Sequence, residues 1–104
     1  MIRHRTVTLT VPGGAELTAP VLDGKDGVSR KVHNVLPQQT AGMNLRAYLN
    51  TDQVIDVPSN MIGATAPPWI PAEVPLAVGD TFNVGFLNTT GGALTAYAVI
   101  QYEE

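Results

Sequence analysis

The sequence predicts an all-β fold: a single small antiparallel β-sandwich or jelly roll of about 7–8 strands with one long proline-rich loop. Three observations predict it. Apolar and polar residues alternate in short runs bounded by Gly, Pro and Asn, the period-two pattern of strands whose successive side chains point to opposite faces. Such runs recur along the chain with turn signals between them, and neither heptads nor a convincing helical stretch interrupts them. Of the 104 residues, 44% are hydrophobic and only 14% charged, so the polar surface falls largely to Thr, Asn, Gln and Ser. Those residue types suit strands and turns better than helix.

The elements follow in order. Residues 5–11 set Val7, Leu9 and Val11 on one face and Thr6, Thr8 and Thr10 on the other, and Pro12-Gly13-Gly14 stops the run. Residues 16–22 form a weaker strand that Pro20 pushes toward a sheet edge. Asp23-Gly24-Lys25-Asp26-Gly27 is a turn, and residues 28–36 make a third strand ending at Pro37. Over 40–50, Met43, Leu45, Ala47 and Leu49 alternate with Asn44, Arg46, Tyr48 and Asn50. A strand fits these four alternations better than the competing short helix capped by Thr40. Residues 53–57 are its partner across the turn at Asn50-Thr51-Asp52.

Residues 58–75 hold five of the eight prolines, which remove ladder donors and fix extended geometry. A loop of this length in a compact domain calls for a functional explanation. The segment 74–102 reads as a β-hairpin. A Gly79-Asp80 turn launches a strand with Phe82, Val84 and Phe86 on one face, and Asn88-Thr89-Thr90-Gly91-Gly92 reverses the chain into residues 93–102. The domain is expected to span 6–104, preceded by an arm at 1–5.

Composition bounds the function. One domain of this size has one core. A formal net charge of −3 argues against nucleic-acid binding, which needs a basic patch. There is no cysteine, so disulfides and thiolate metal sites are excluded. No run of about 18 apolar residues predicts a membrane-spanning helix. The basic start lacks the apolar segment and cleavage site of a secretory signal, so synthesis in the cytoplasm without a signal peptide is expected.

The sequence offers little to catalysis. His4 and His33 sit in no nucleophile–base motif. Asp52 and Asp56 on one extended segment stand about 13 Å apart, beyond the roughly 5–9.5 Å of glycosidase pairs. The Asp23-to-Gly27 turn lacks the acid spacing of a calcium loop. Asn88-Thr89-Thr90 matches a glycosylation acceptor but is explained by turn chemistry. A non-enzymatic protein without cofactor or metal is predicted.

Association offers more. Met61, Ile62, Trp69 and Ile70 give the proline-rich loop an apolar, aromatic content suited either to a lid over the domain's own core or to a docking surface. In the last strand Leu94, Ala96, Ala98 and Ile100 face one way, yet Tyr97 and Val99 make the other face apolar too. A strand covered on both sides has this composition, so the loop or another subunit is expected over Tyr97 and Val99, and a homo-oligomer is predicted. Arg3 and Arg5 of the arm suit charge-assisted contacts with an acidic partner surface.

The layout of a Thr-rich opening TVTLTVPGG, a Pro-rich middle and a closing PLAVGDTFNVGFLNTTGGALTAYAVIQY resembles the small all-β virion proteins of tailed bacteriophages, especially capsid decoration (cement) proteins. The pattern L-x-x-G-D-x-F at Leu76, Gly79, Asp80 and Phe82 is also similar to one in jelly-roll trimers such as tumour-necrosis-factor-like domains. The resemblance implies a non-enzymatic structural protein on the capsid exterior that binds major capsid protein or other virion subunits, with a homotrimer favoured. A carbohydrate-binding or adhesion module using Trp69 with Tyr48 or Tyr97 as a stacking platform is the competing expectation.

Overall fold

The computed structural model describes residues 1–38, 40–58 and 70–104. Eight strands follow one another: β1 (Ile2–Val11), β2 (Glu16–Asp23), β3 (Arg30–Pro37), β4 (Met43–Leu49), β5 (Asp52–Pro58), β6 (Ile70–Leu76), β7 (Thr81–Asn88) and β8 (Leu94–Glu103). They build two antiparallel sheets, sheet A in the order β1-β8-β3-β6 and sheet B in the order β2-β7-β4-β5. The pairings are nested: first with last, second with seventh, third with sixth, fourth with fifth. A ribbon folded at its midpoint and rolled up produces this order, which is the jelly-roll plan. The β3–β8 and β4–β7 ladders join the halves of each sheet.

Three expectations are corrected by this topology. The proline-rich loop does not run to residue 75: Ile70–Leu76 is strand β6, paired with β3 on one side only, where an edge tolerates Pro71 and Pro75. The segment 74–102 is not a hairpin: β7 lies in sheet B between β2 and β4, and β8 lies in sheet A between β1 and β3. Asn and Gly at 88–92 permit a sharp reversal, but the same residues serve an arch that carries the chain from one sheet to the other. The expected arm at 1–5 is not separate either. Strand β1 begins at Ile2 and stays in register with β8 through Val11, because the inward-facing polar residues at its start find partners at the open end of the sandwich. Elsewhere the alternation was a sound guide. Residues 43–49 are a strand paired with β5, with Asn50 in the left-handed region (φ 56°) at their turn, and Pro20 does lie in an edge strand, beside a register shift.

The core is the apolar alternation of both sheets facing inward. Phe82, Val84 and Phe86 of β7 and Met43, Leu45 and Ala47 of β4 come from sheet B; Val32 and Val35 of β3 and Ala96, Ala98 and Ile100 of β8 come from sheet A. Large side chains on one central strand are matched by small ones on the other, which lets the sheets approach without voids. Asn88 is the one fully buried polar side chain among the described residues. Its Nδ2 donates to the carbonyls of Val11 (3.0 Å) and Gly92 (2.7 Å), and its Oδ1 accepts from the Thr90 N–H (2.9 Å) and hydroxyl (2.7 Å). Asn88 therefore ties the β7–β8 arch to the end of β1.

The L-x-x-G-D-x-F pattern is a turn lock. Leu76 and Phe82 are buried, Gly79 adopts φ 92°, and the Asp80 N–H donates to the Ala77 carbonyl at 3.0 Å. The Asp80 carboxylate accepts from the Ala77 N–H (3.0 Å) and the Asn50 amide (3.1 Å), which hold it charged below its usual pKa, the Asn50 bond most of all. These residues serve the fold and point to no partner.

Candidate functional site

Because β8 is flanked on both sides, its outward side chains are set in rows across sheet A. Thr8 and Gln38 flank Tyr97, Thr6 and Leu36 flank Val99, and Asn34 lies beside Gln101. The Gln38 N–H donates to the Tyr97 carbonyl (2.8 Å) and the Gln38 side-chain oxygen accepts the Tyr97 N–H (3.2 Å). Asn34 donates to Gln101 at 2.7 Å. The result is a neutral patch of hydroxyls and amides around an aromatic ring, with Tyr97 43% exposed and Val99 half-buried.

The same face ends in charge. Around a bulge in which β3 slips against both β6 and β8 between Val32 and Asn34, His33 contacts Glu103 through Nε2 (2.9 Å) and Glu73 through Nδ1 (3.4 Å). Lys31 reaches Glu73 at 2.8 Å. Glu73 is held at φ 50°, a conformation that costs a non-glycine residue of order 1 kcal/mol or more. Carboxylates at both ring nitrogens favour the doubly protonated imidazolium: Glu103, then Glu73, raise the His33 pKa against the opposing effect of desolvation. Below its raised pKa such a ring is a charged tie between strands. A depression of about 280 Å³ lies beside it, lined by Ser29, Lys31, Glu103 and Glu104.

Arg3 and Arg5 face the other way. Arg3 pairs with Glu104 at 3.0 Å, and Arg5 donates to the Val21 carbonyl (3.2 Å) with its guanidinium 5.9 Å from the Tyr102 ring centre. Arg30, only 12% exposed in its side chain, binds Glu104 (2.8 Å) and the Asp23 carbonyl (2.7 Å). These arginines close the end of the sandwich. The structure therefore separates the residues expected at an interface. Tyr97 and Val99 share an outer face; Arg3 and Arg5 serve internal contacts; Ile70 is half-buried against the core from β6. Met61, Ile62 and Trp69 lie outside the described residues.

The outer face of sheet B carries a network that the sequence reading missed. Arg46 of β4 contacts Glu16 of β2 and Asp56 of β5 (3.3 Å), and the Tyr48 hydroxyl donates to Glu16 at 2.9 Å. Arg46 stands opposite Gly85, so its side chain crosses β7 where no side chain blocks it. Burial, then the bond to Glu16, pushes the Tyr48 pKa up. Tyr48 and Tyr97 lie on opposite faces of the molecule and cannot share one stacking platform. The turn at Asn50-Thr51 was the available signal for this network, since folding there brings Arg46 opposite Asp56.

No protein-family model matches the chain, and no curated protein sequence matches it. Among solved structures the chain is similar to the nucleoplasmin-like N-terminal domain of Drosophila FKBP39, at 14% identity over 95% of this chain and 87% of that one, with a TM-score of 0.44.

Proposed function

We propose that this chain is a non-enzymatic structural protein of a bacteriophage virion that docks on the assembled capsid through the outer face of sheet A and decorates or stabilises the shell. The observation that supports this reading is Tyr97, exposed on a central strand that is paired on both sides, with its own backbone N–H and carbonyl held by Gln38. A rigid aromatic with a neutral, hydrogen-bonding surround loses little entropy on docking, the profile of an anchor at an interface centre. Purified protein should sediment with intact capsids of the phage that encodes it and raise their resistance to heat, and Tyr97→Arg should abolish both effects.

A carbohydrate-binding role is the second reading. It is favoured by the same ring lying beside the Thr8 hydroxyl and the Gln38 amide, since an aromatic face with convergent polar groups suits a sugar. Failure to sediment with capsids, together with glycan binding lost in Tyr97→Ala, would reverse the order of the two readings.

A further inference from the structure

Among the described residues four strands stand at sheet edges, β1 and β6 in sheet A and β2 and β5 in sheet B. Exposed edges are templates for further pairing, and proteins blunt them with proline, bulges and charge. Three of these edges are blunted. Strand β2 has Pro20 and a register shift beside it. Strand β5 ends in Pro58, carries Asp52 and Asp56, and slips against β4 between Ala47 and Tyr48. Strand β6 has Pro71 and Pro75 and holds Glu73 at positive φ. Strand β1 runs ten residues without proline or register shift, and its charges, Arg3 and Arg5, lie in its first half, which leaves residues 6–10 without any of these devices.

The direction of its free hydrogen-bonding groups can be read from the ladder. Met1 and Glu104 exchange both backbone bonds at 3.0 Å, so odd-numbered residues of β1 bond to β8, and even-numbered ones turn away, by the alternation of an antiparallel pair. Tyr97, opposite Thr8, agrees, because its N–H and carbonyl are directed to Gln38 on the other side. The backbone N–H and C=O groups of Thr6, Thr8 and Thr10 therefore point out of the sheet edge, and all three residues are exposed.

We propose that β1 is a self-complementary edge on which a second copy of this chain adds its own β1, antiparallel and centred on Thr8, to make one continuous eight-stranded sheet. Residues 6–10, Thr-Val-Thr-Leu-Thr, read nearly alike in both directions. Centred on Thr8, the pairing sets Thr6 opposite Thr10 and Thr8 opposite Thr8 as hydrogen-bonded pairs, all among outward-pointing donors and acceptors. Threonine pairs across strands are favourable, and this sheet already makes one, Thr10 Oγ1 to Thr95 Oγ1 at 2.8 Å. On the inner side Val7 meets Leu9 of the second copy, which covers two residues left half-buried because no strand lies beyond them.

Charge disfavours a register centred nearer the start of the strand. Centring on Thr8 sets the two Arg5 residues about 20 Å apart along the strands, beyond the reach of screened repulsion; centring on Thr6 would bring them to about 7 Å. Arg3, paired with Glu104, stands farther still from its copy, about 33 Å. An isologous edge of this kind closes at two copies, whereas the resemblance to cement proteins implies three.

Native mass spectrometry and amide hydrogen exchange test the pairing. At concentrations on the order of 100 µM the protein should have twice the chain mass, and the amides of Thr6, Thr8 and Thr10 should exchange as slowly as those of Val7 and Leu9. Thr8→Pro removes a donor that bonds nothing in the monomer and should give a monomer with free exchange at Thr6 and Thr10. Thr8→Lys, which leaves the backbone intact and opposes like charges across the two-fold axis, should do the same if the proline variant fails to fold. A monomeric parent protein with freely exchanging threonine amides would overturn the proposal. So would a trimer, or a dimer that survives Thr8→Lys. Protection of those amides only when capsid is added would overturn it too, and would assign the edge to a foreign strand.

Discussion

On sheet B, Arg46 spans β7 to join Glu16 with Asp56, and Tyr48 adds a further bond to Glu16. On sheet A the corresponding central strand presents Tyr97 and Val99 to solvent between Thr and amide side chains. The two faces are built on the same jelly-roll frame, yet one uses its functional groups on itself and the other leaves an aromatic available. Surface ion pairs add little to stability, so the contrast concerns availability for binding. A face whose charges already have partners offers a ligand little, whereas an exposed ring on a rigid strand can gain by being covered.

The largest expected effect belongs to sheet B. A Cβ on Gly85 would stand 2.0 Å from the Leu17 carbonyl oxygen and 2.5 Å from the Thr18 Cα, both on the backbone of β2. Gly85→Ala must push β2 away, and should cost about 3 kcal/mol or more in urea unfolding. Tyr97→Ala on sheet A should cost about 0.5 kcal/mol or less. Comparable losses at the two positions would mean that Tyr97 is structural.

The second effect is the converse, read as binding. Tyr97→Ala should weaken the proposed capsid association at least about tenfold, or roughly 1.4 kcal/mol, while Arg46→Ala leaves it unchanged in the same co-sedimentation titration. Equal losses would dissolve the distinction between the faces. The third is smaller: Arg46→Ala should lower stability by about 1 kcal/mol, since it leaves Glu16 and Asp56 without their shared partner at a partly exposed site.

How far all this was legible in the sequence depends on the range of the interaction. Alternation is local, so it alone places Phe82, Val84 and Phe86 in the core and residues 43–49 in a strand. Pairing is non-local. Nothing in Asn88-Thr89-Thr90-Gly91-Gly92 says whether the next strand returns to the same sheet or crosses to the other, and the glycosylation-like Asn88 is instead a buried tie to Val11. The candidate face was half legible, since Tyr97 and Val99 follow from period two. Their neighbours Thr6, Thr8, Leu36 and Gln38 come from two other strands, and only the β1–β8 and β3–β8 registers bring them together. The contacts of Arg3 and Arg5 are not legible locally, because a basic start looks like an arm until Glu104, far off in the sequence, stands beside Arg3.

The smallest effect separates the faces by pH. On sheet A, Glu103 and Glu73 keep His33 protonated above its ordinary pKa, so the folded state binds that proton more tightly than the unfolded chain. The stabilisation is complete below the ordinary histidine value, about 6.5, and is lost as pH rises through the raised folded value. The carboxylates run the other way. Glu73, lowered first by Lys31 and then by His33, and Glu103, lowered by His33, contribute above the ordinary carboxylate range and lose that contribution as pH falls through their lowered values. The cluster is therefore strongest between about pH 4.5 and 6.5. The Tm difference between the parent protein and His33→Gln should be largest in that window and shrink toward about pH 8. Sheet B has no group of this kind in its network, because Arg46 stays charged throughout, so the cost of Arg46→Ala should be level over about pH 5.5–8. A level difference for His33→Gln as well would show that the ring ties β3 to β6 and β8 by packing alone, and that the two faces differ in exposure but not in their response to protons.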